Sequence, residues 1–453
     1  MNPVAPTAPA SSRARRAGAL TGVSLGYFMV LLDTTVLSVA EPDLAASLHT
    51  SMAGLQWATT GYTVVFAALL LSAGAAADRF GADRVFRAGT AAFALASLLS
   101  SLAPNLGALL ALRAVSGAAA AACVPASMAL IARLYPQPAA RARAISVWAA
   151  VSGAAVAAGP IAGGALVEAA GWRAVFLVNV PLGLLVLVLT WGRAVRCPRG
   201  ADRVDWPAQA VAVVVLALLT DVLIAAGAGA WVHTAWSAGG LGIAVTVFTL
   251  LERRSHAPVV NRTLLRSAPV RAGLLAGAVT NFALSGALFV LPLLLQRERH
   301  LSALETGLAF LPLTVPFAAN PPLTGRIVAR TGPRPPILAG LALLTAGGTV
   351  LAGAVFAEGA YVWLAAGLLL TGVGVSFVLP ALVAAVIGAA PPGTAGSVGG
   401  LLNAVRQIGA TLGVALMGAV ATLDTGWSLL LSGGLCALAW PAFVPTAGPP
   451  HAR

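Results

Sequence analysis

Residues 159–183 read GPIAGGALVEAAGWRAVFLVNVPLG, which places helix-breaking residues in an almost wholly apolar background. In a bilayer, glycine and proline are tolerated within helices because water does not compete for the backbone and neighbouring groups satisfy it. Small residues also let two helix backbones approach closely, and proline introduces a kink. Gly159, Pro160, Gly163 and Gly164 therefore predict a bent, thin patch where two membrane helices meet. On its own, the patch is equally consistent with simple helix packing.

The composition indicates an integral membrane protein. The chain has 453 residues, of which 59% are hydrophobic and 9% are charged, and its mean hydropathy is +0.90. Soluble domains carry about 25% charged residues. The net charge of +13 comes from arginine without any lysine. In a soluble protein such a charge would suggest nucleic-acid binding. The positions of the arginines along the chain decide between that interpretation and membrane topology.

The apolar runs predict fourteen transmembrane helices, since a spanning helix needs about 20 mostly apolar residues. Their approximate bounds are 17–40, 52–76, 85–103, 107–132, 144–167, 172–192, 206–228, 235–251, 271–295, 303–325, 335–356, 360–388, 395–421 and 426–445. The predicted order is a cytoplasmic tail (1–16), a six-helix bundle (17–192), a linker with two extra helices (193–270), a second six-helix bundle (271–445) and a cytoplasmic tail (446–453). Paired helical halves around a central pathway are a recurrent plan of transporters.

The arginine positions support this topology. With the amino terminus in the cytoplasm, 22 of the 27 arginines fall in cytoplasmic segments. Only Arg173, Arg297 and Arg299 fall outside, while Arg113 and Arg406 lie within spans. Basic residues collect in cytoplasmic loops of membrane proteins. Topology thus explains the positive charge, and a nucleic-acid partner is not predicted.

Three further motifs occur in a familiar order. They are LLDTTVLSVAEPDL (31–44), GAAADRFGADRVF (74–86) and LRAVSGAAAA (112–121). Together with the patch at 159–164, they resemble the signature motifs of the major facilitator superfamily. More narrowly, they resemble its fourteen-span drug:proton antiporters of the EmrB/QacA type. The resemblance implies the major facilitator fold, with two six-helix bundles and an inserted two-helix hairpin.

The stretch after the glycine patch carries the most specific resemblance. Its matching residues are Trp172, Arg173, Phe176, Asn179, Pro181 and Gly183. The resemblance extends to LLNAVRQIGATLGVALMG (401–418) in the second half. The chain also departs from the family pattern, most visibly in the first span, where Ser38 and Glu41 stand in place of the usual Asn and Leu. The other departures are at Ala82, Asp83, Ser116, Ala155 and Ala329.

Asp33 and Arg113 are the leading candidates for proton coupling. An ionisable group in the hydrocarbon region is costly and is a functional candidate by default. Counting about 1.5 Å per residue places both about 10 Å below the outer edge of the membrane, so they can pair across adjacent helices. In the functional interpretation, Arg113 holds Asp33 ionised and protonation of Asp33 releases it. The resemblance supports a proton-linked role for this arginine. The alternative is a purely structural ion pair.

Other charged residues in or near the spans are less decisive. Asp221, in the seventh span, is a further proton-coupling candidate that can instead serve cation recognition, hairpin packing or snorkelling. Arg406 belongs to an interface helix between the halves, where a locking hydrogen bond and a substrate contact are both open. Glu41 and Asp43 are predicted at the outer edge, mostly solvated, where they can attract cations to an outer mouth.

The loop motif between the second and third spans predicts a gating element. Gly74 is expected to permit close approach of two helices, Asp78 to cap or pair with a helix end, and Gly81 to make the tight turn. Arg79 and Arg84 are expected at the cytoplasmic face. Such a cluster can hold the two halves together when the inside is closed; the alternative is a turn that serves topology alone.

These features favour transport over enzymatic chemistry. The five histidines are scattered, the three cysteines lie far apart, and a chain without lysine has no ATP-binding Gly-x-x-x-x-Gly-Lys loop. No metal or cofactor is predicted. We expect a monomeric, proton-coupled exporter of amphipathic drugs or antibiotics in the plasma membrane, with small amphipathic substrates, protons and the lipid bilayer as its partners. The alternatives are a dedicated exporter of one host metabolite or natural product, and a transporter-like sensor.

Overall fold

The computed structural model of the protein describes residues 10–191, 197, 205–255, 262–389 and 395–443. Within these ranges the chain forms helices and no strands. The α-helices are α1 (Ala10–Leu48), α2 (Met52–Phe80), α3 (Ala82–Ser101), α4 (Leu106–Leu134), α5 (Pro138–Ala170), α6 (Ala174–Leu177), α7 (Asn179–Thr190), α8 (Trp206–Gly227), α9 (Trp231–Arg254), α10 (Arg262–Arg266), α11 (Ala268–Leu293), α12 (Ala303–Ala309), α13 (Leu311–Ala319), α14 (Pro321–Thr331), α15 (Arg334–Phe356), α16 (Tyr361–Gly388), α17 (Ala395–Ala421) and α18 (Thr425–Ala439). A π-helical turn, Leu294–Glu298, continues α11.

The long apolar helices fit a multi-pass membrane protein. In the described ranges, ten helices are long and apolar enough to cross a membrane, or eleven if Met52–Leu70 and Ser72–Phe80 of α2 form one span. The helices α3, α6–α7 and α12–α14 fall outside this count. The first of these carries charged residues in its first two turns, and the other two are interrupted.

Short polar turns reverse the chain between consecutive helices. Ser51 caps α2 by accepting a hydrogen bond from the backbone of Gly54, and Asn105 caps α4 in the same way through Ala108. A side-chain oxygen at this position satisfies one of the free N–H groups at the start of a helix. Gly81 ends α2 with φ +94°, a conformation that favours glycine. Consecutive long helices are therefore antiparallel.

This alternation gives the bundle two ends. We call the end with Arg16, Arg79 and Arg133 the arginine face, and the end with Ser51 and Leu102 the opposite face. The antiparallel order of the helices assigns every later turn to one face or the other. In the second half, α11 and α15 begin at the arginine face and α12, α16 and α18 begin at the opposite face.

The two halves of the chain repeat one packing order. In the first half, α1 packs on α5 and α7, α2 packs on α4, and α3 packs on α4 and α7. In the second half, α11 packs on α17 and α18, α13 and α14 pack on α16, and α15 packs on α16 and α18. We refer to these sets as the first bundle (α1–α7) and the second bundle (α11–α18).

Two lateral seams join the bundles, and α1 also packs on α11 between them. At one seam α2 packs on α17, and at the other α5 packs on α12 and α13. The helices α8 and α9 pair with each other, and α8 packs on both α2 and α17. The contact with α17 is tight, because a Cβ at Gly227 would lie 2.8 Å from Cα of Ala419. The pair α8–α9 therefore covers the α2–α17 seam.

Two predicted spans are broken helices in the structure. The span at 172–192 is split between α6 and α7 at Val178, and the span at 303–325 is split at Phe310 and Asn320. Prolines lie just beyond each break, where they remove a backbone N–H and clash with the preceding turn. Pro181, Pro312 and the Pro321–Pro322 pair account for the interruptions.

Candidate functional site

A central cavity of about 1270 Å³ lies between the two bundles. The first bundle lines it with residues of α1, α2, α4 and α5, and the second bundle with residues of α11, α13, α14, α16 and α17. Its lining runs from Glu41 near the opposite face to Asp78 and Ile387 near the arginine face. Tyr27 and Trp148 form part of its wall as a stacked pair, with ring centroids 4.4 Å apart and planes inclined by 7°.

Contacts between the bundles close the cavity toward the opposite face. The side-chain amide of Gln56, at the start of α2, donates to the carbonyl of Ala415 at 2.8 Å. The amide of Gln296 donates to the carbonyl of Val39 at 2.9 Å. Both bonds cross from one bundle to the other. The structure therefore has a cavity that reaches the arginine face and is sealed at the opposite face.

The ion pair predicted between Asp33 and Arg113 is confirmed. Nη1 of Arg113 donates to Oδ2 of Asp33 at 2.5 Å, and each residue is 1% exposed. Nε of Arg113 also donates to the carbonyl of Ala58 at 3.2 Å. Arg113 lines the cavity, and Asp33 lies behind it. Access from the cavity to the Asp33 carboxylate therefore passes Arg113.

Asn179 completes the surroundings of the acid. Its side-chain amide donates to Oδ1 of Asp33 at 2.9 Å, so both carboxylate oxygens have a donor. The sequence pattern placed Asn179 in its most specific motif but assigned it no role. The break at Val178 places Asn179 in the first turn of α7, beside the middle of α1.

Aromatic rings surround the guanidinium. The centre of the Arg113 guanidinium lies 4.6 Å from the ring centroid of Tyr62 and 5.7 Å from that of Phe176. Both rings are buried. A cation within about 6 Å of an aromatic face is attracted by it, more strongly where water is excluded. The rings thus stabilise the charged arginine and separate the ion pair from bulk water. Tyr62 was not singled out in the sequence.

The glycine patch makes two different close contacts. A Cβ at Gly163 would lie 2.6 Å from the carbonyl oxygen of Val36, and one at Gly159 would lie 2.6 Å from Cβ of Thr35, so these glycines hold α5 against α1. Gly164 faces the other bundle, where its Cβ would lie 2.8 Å from Cα of Leu304 in α12.

The α5–α12 contact is reciprocal. A Cβ at Gly307 of α12 would lie 3.0 Å from the carbonyl carbon of Pro160 and would contact its oxygen. Backbone approaches this close require residues without a side chain on both helices. The patch therefore has two roles: it packs α5 against α1 within the first bundle, and it packs α5 against α12 of the second bundle at the opposite face.

The loop motif forms a turn but no helix contact at Gly74. Gly81 makes the predicted tight turn, and Arg79 and Arg84 are exposed at the arginine face. The expected close approach at Gly74 is wrong for this conformation, because a Cβ there would meet no atom within 4 Å. The reason is that the bundles are apart at this face, and Gly74 and Asp78 line the cavity instead.

Asp83, a departure from the family pattern, ties the loop to the end of the first bundle. It is buried, pairs with Arg87 at 2.6 Å and accepts a hydrogen bond from the backbone of Cys197 at 3.0 Å. An acidic residue in the first turn of α3 also interacts favourably with the helix dipole.

Arg406 lines the cavity from the second bundle. Its Nη1 donates to Oδ1 of Asn403 at 3.1 Å, and its Nε lies 3.5 Å from Oδ1 of Asn281. Both partners belong to the second bundle, so these bonds do not lock the two halves together in this conformation.

Asp221 lies away from the central cavity. Its Oδ2 is 2.7 Å from Nε2 of His233 and accepts a hydrogen bond from Ser237 at 2.5 Å. All three residues belong to the α8–α9 pair. Of the interpretations left open by the sequence, these contacts favour hairpin packing, and the structure does not bring Asp221 to Asp33 and Arg113.

Two acids predicted at the outer edge have defined places in the structure. Glu41 is 1% exposed and lines the closed end of the cavity, so its prediction as a solvated charge is wrong. Asp43 accepts a hydrogen bond from the backbone of Trp172 at 2.7 Å and is half-buried. The physical reason is that α1 continues through Pro42 to Leu48, well past the predicted end of the span.

The chemistry available at the cavity is that of binding and proton exchange. The described residues contain no cluster of His, Cys, Asp or Glu that could hold a metal ion. The cavity combines apolar walls with the buried Asp33–Arg113 pair, with the acids Glu41 and Asp78, and with Arg406, which donates hydrogen bonds to side-chain amides. Such a site can bind amphipathic molecules and change its charge by taking up a proton.

Comparison with known proteins identifies relatives along the whole chain. The sequence profile described as Major Facilitator Superfamily matches residues 23–414 and 273–453. The multidrug resistance protein Stp of Mycobacterium tuberculosis (strain CDC 1551 / Oshkosh) is 34% identical over 404 residues, which cover 88% of this chain and 75% of that protein. The tetracenomycin C resistance and export protein of Streptomyces glaucescens is 33% identical over 437 residues, which cover 93% of this chain and 79% of that protein.

A solved structure has the same fold. The crystal structure of a bacterial homolog to the human lysosomal transporter Spinster, in an inward-facing and unoccupied conformation, matches with a TM-score of 0.69. The sequence identity is 17%, and the match covers 95% of this chain and 96% of that chain. At this identity the likeness concerns the fold alone.

Proposed function

Because the chain belongs to the Major Facilitator Superfamily of membrane transporters, we propose that it exports amphipathic drugs or antibiotics across the plasma membrane in exchange for protons. The printed names of its relatives, a multidrug resistance protein and an antibiotic resistance and export protein, support drug efflux. The observation that carries the proton-coupled part is the buried Asp33–Arg113 pair beside the cavity.

The exchange follows from two states of this pair. While Asp33 is ionised, Arg113 is held in the ion pair and substrate enters the cavity from the arginine face. Protonation of Asp33 removes its charge, so the attraction to Arg113 falls and the guanidinium is free to move within the cavity wall. A group that binds a proton in one conformation and releases it in the other couples proton entry to substrate exit.

A second candidate is a dedicated exporter of one natural product made by the host. The name of the Streptomyces glaucescens relative, which refers to resistance and export of tetracenomycin C, favours it. Both candidates use the same site and the same coupling. They differ in the breadth of compounds that the cavity accepts.

A resistance panel tests the proposed function. Drug-sensitive cells expressing the protein are expected to tolerate higher concentrations of several unrelated amphipathic toxic compounds, and a protonophore is expected to remove the protection. Protection against a single compound would favour the dedicated exporter. Protection that persists without a proton gradient would contradict proton coupling.

We further propose fourteen spans with both termini in the cytoplasm. The helices that meet the length and hydropathy criteria supply ten or eleven spans. The remaining three proposed spans are α3, the broken pair α6–α7 and the broken set α12–α14, each of which packs against long helices of its own bundle. The proposed bundles are 17–192 and 271–445, with the hairpin at 193–270 between them.

Cysteine labelling distinguishes fourteen spans from ten or eleven. In a Cys197→Ser background, a membrane-impermeant maleimide is expected to label Leu102→Cys from outside intact cells. Ala8→Cys and Gly332→Cys are expected to react only after the cells are opened. Labelling of Gly332→Cys from outside would exclude α12–α14 as a span, and protection of Leu102→Cys would exclude α3.

A further inference from the structure

Glu41 is a buried acid with an unused oxygen. It lies in α1 at the closed end of the cavity, where it is 1% exposed. Its Oε1 accepts a hydrogen bond from the hydroxyl of Thr59 at 2.9 Å. Its Oε2 is fully buried and has no hydrogen-bond partner. A buried acceptor without a donor is costly and indicates that something else completes the site.

No basic side chain of the described residues completes it. Glu41 itself has no basic side chain within ion-pair distance among those residues, unlike Asp33, Asp83 and Asp221. Arg113 is taken by Asp33, and Arg406 donates to amides of its own bundle. Arg297 acts on Glu41 from the second bundle beyond ion-pair distance, and its side chain is exposed.

The position of Glu41 is tied to the seal between the bundles. Val39, two residues earlier in α1, accepts the hydrogen bond that Gln296 donates from the other bundle. A ligand bound at Glu41 therefore lies directly below the contact that must break when the opposite face opens. This carboxylate also departs from the motif that the first span resembles, which usually has Leu at this position.

We propose that Glu41 binds the positively charged group of the substrate, which makes organic cations the preferred substrate class of this cavity. A cationic group beside Oε2 supplies the positive charge that the neighbouring side chains do not provide. The apolar part of the substrate contacts the cavity walls. A buried carboxylate gains more from such a partner than a solvated one, because water does not screen the interaction. The inference rests on the proposed export function, whose substrate class it narrows.

Equilibrium binding to the purified full-length protein tests this inference. The probes are ethidium, a permanent organic cation, and chloramphenicol, which is neutral. In Glu41→Gln, which keeps the shape and the bond to Thr59, the Kd for ethidium is expected to rise at least about tenfold. The Kd for chloramphenicol is expected to stay within about twofold. Glu41→Asp should retain part of the affinity for ethidium.

The matched control is Glu358→Gln, which removes one negative charge at an exposed turn near the opposite face. It is expected to bind both probes as the wild type does. Unchanged ethidium binding in Glu41→Gln would overturn the inference, as would equal loss of both probes, which indicates a structural role. A wild type that does not bind ethidium would also overturn it. Binding requires no proton gradient, so a failure of the antiport proposal leaves this test unaffected.

Discussion

The Asp33→Asn variant is expected to lose uphill efflux while it still binds substrate. Asparagine keeps the size of the side chain, and its one carbonyl oxygen can accept the hydrogen bond of Arg113 or that of Asn179 but not both. It cannot exchange a proton. The measurement is efflux from proteoliposomes driven by a pH gradient, with proton movement followed by a dye. We expect uphill transport below about a hundredth of the wild-type rate, as typical for removal of an essential proton-transfer group.

The matched control is Asp221→Asn, the same chemical change in the α8–α9 pair. Because Asp221 hydrogen-bonds within that pair, to His233 and Ser237, and is not among the residues that line the cavity, its variant is expected to retain coupled efflux. Uphill transport with normal proton flux in Asp33→Asn would place the switch elsewhere. Loss of coupling in Asp221→Asn alone would transfer the role to the hairpin.

Variants of Arg113, the partner of Asp33, test the same ion pair through protein stability as well as transport. Arg113→Ala leaves the buried Asp33 carboxylate without its counter-charge, and breaking a buried pair in this way costs about 3–5 kcal/mol. We therefore expect lower thermal stability together with loss of efflux. Arg113→Lys should restore part of the stability and little of the transport, since lysine lacks the planar fork that reaches both Asp33 and the carbonyl of Ala58.

The Gly164→Leu variant is expected to reduce export strongly by opposing closure of the opposite face. The new side chain would occupy the space now filled by the backbone of Ala303 and Leu304 in α12. Overpacking of this kind costs about 1–3 kcal/mol, which corresponds to a shift of roughly 5–150-fold between two conformations. Efflux is expected to fall to about a tenth or less, although the protein still inserts.

Accessibility provides the structural readout for this variant. Val39→Cys, at the inter-bundle seal, is expected to react slowly with an external maleimide in the wild-type background and faster with Gly164→Leu. The control is Gly353→Leu near the end of α15, where a Cβ would meet no atom within 4 Å. Normal efflux by a well-expressed Gly164→Leu variant would contradict the role of the patch in gating.

The sequence predicts the elements whose signal is local. The depth of Asp33 and Arg113 within their spans was enough to predict their ion pair, and the glycine spacing was enough to predict a tight helix contact. Proline and charge misled the prediction at the ends of spans. The first span was predicted to end at residue 40, where the apolar run gives way to charged residues, and this placed Glu41 in solvent.

Contacts that depend on tertiary packing were not predictable from local pattern. The role of Asn179 depends on the break between α6 and α7, which brings its amide to Asp33. The separate roles of Gly163 and Gly164 depend on which helix faces each one. The missing contact at Gly74 depends on conformation, since only a state closed at the arginine face would bring another helix near it.

Because of helix α8, the two sides of the cavity differ in how much protein separates them from the lipid. This helix covers the α2–α17 seam, while at the other seam α5 meets α12 and α13 directly and no further inserted hairpin is present among the described residues. A hydrophobic compound that partitions into the membrane before it is captured thus faces protein on one flank and a bare helix junction on the other. For the proposed exporter we therefore expect entry from the lipid phase to be one-sided, with bulky residues along the junction of α5 with α13 acting as a filter separate from the cavity itself.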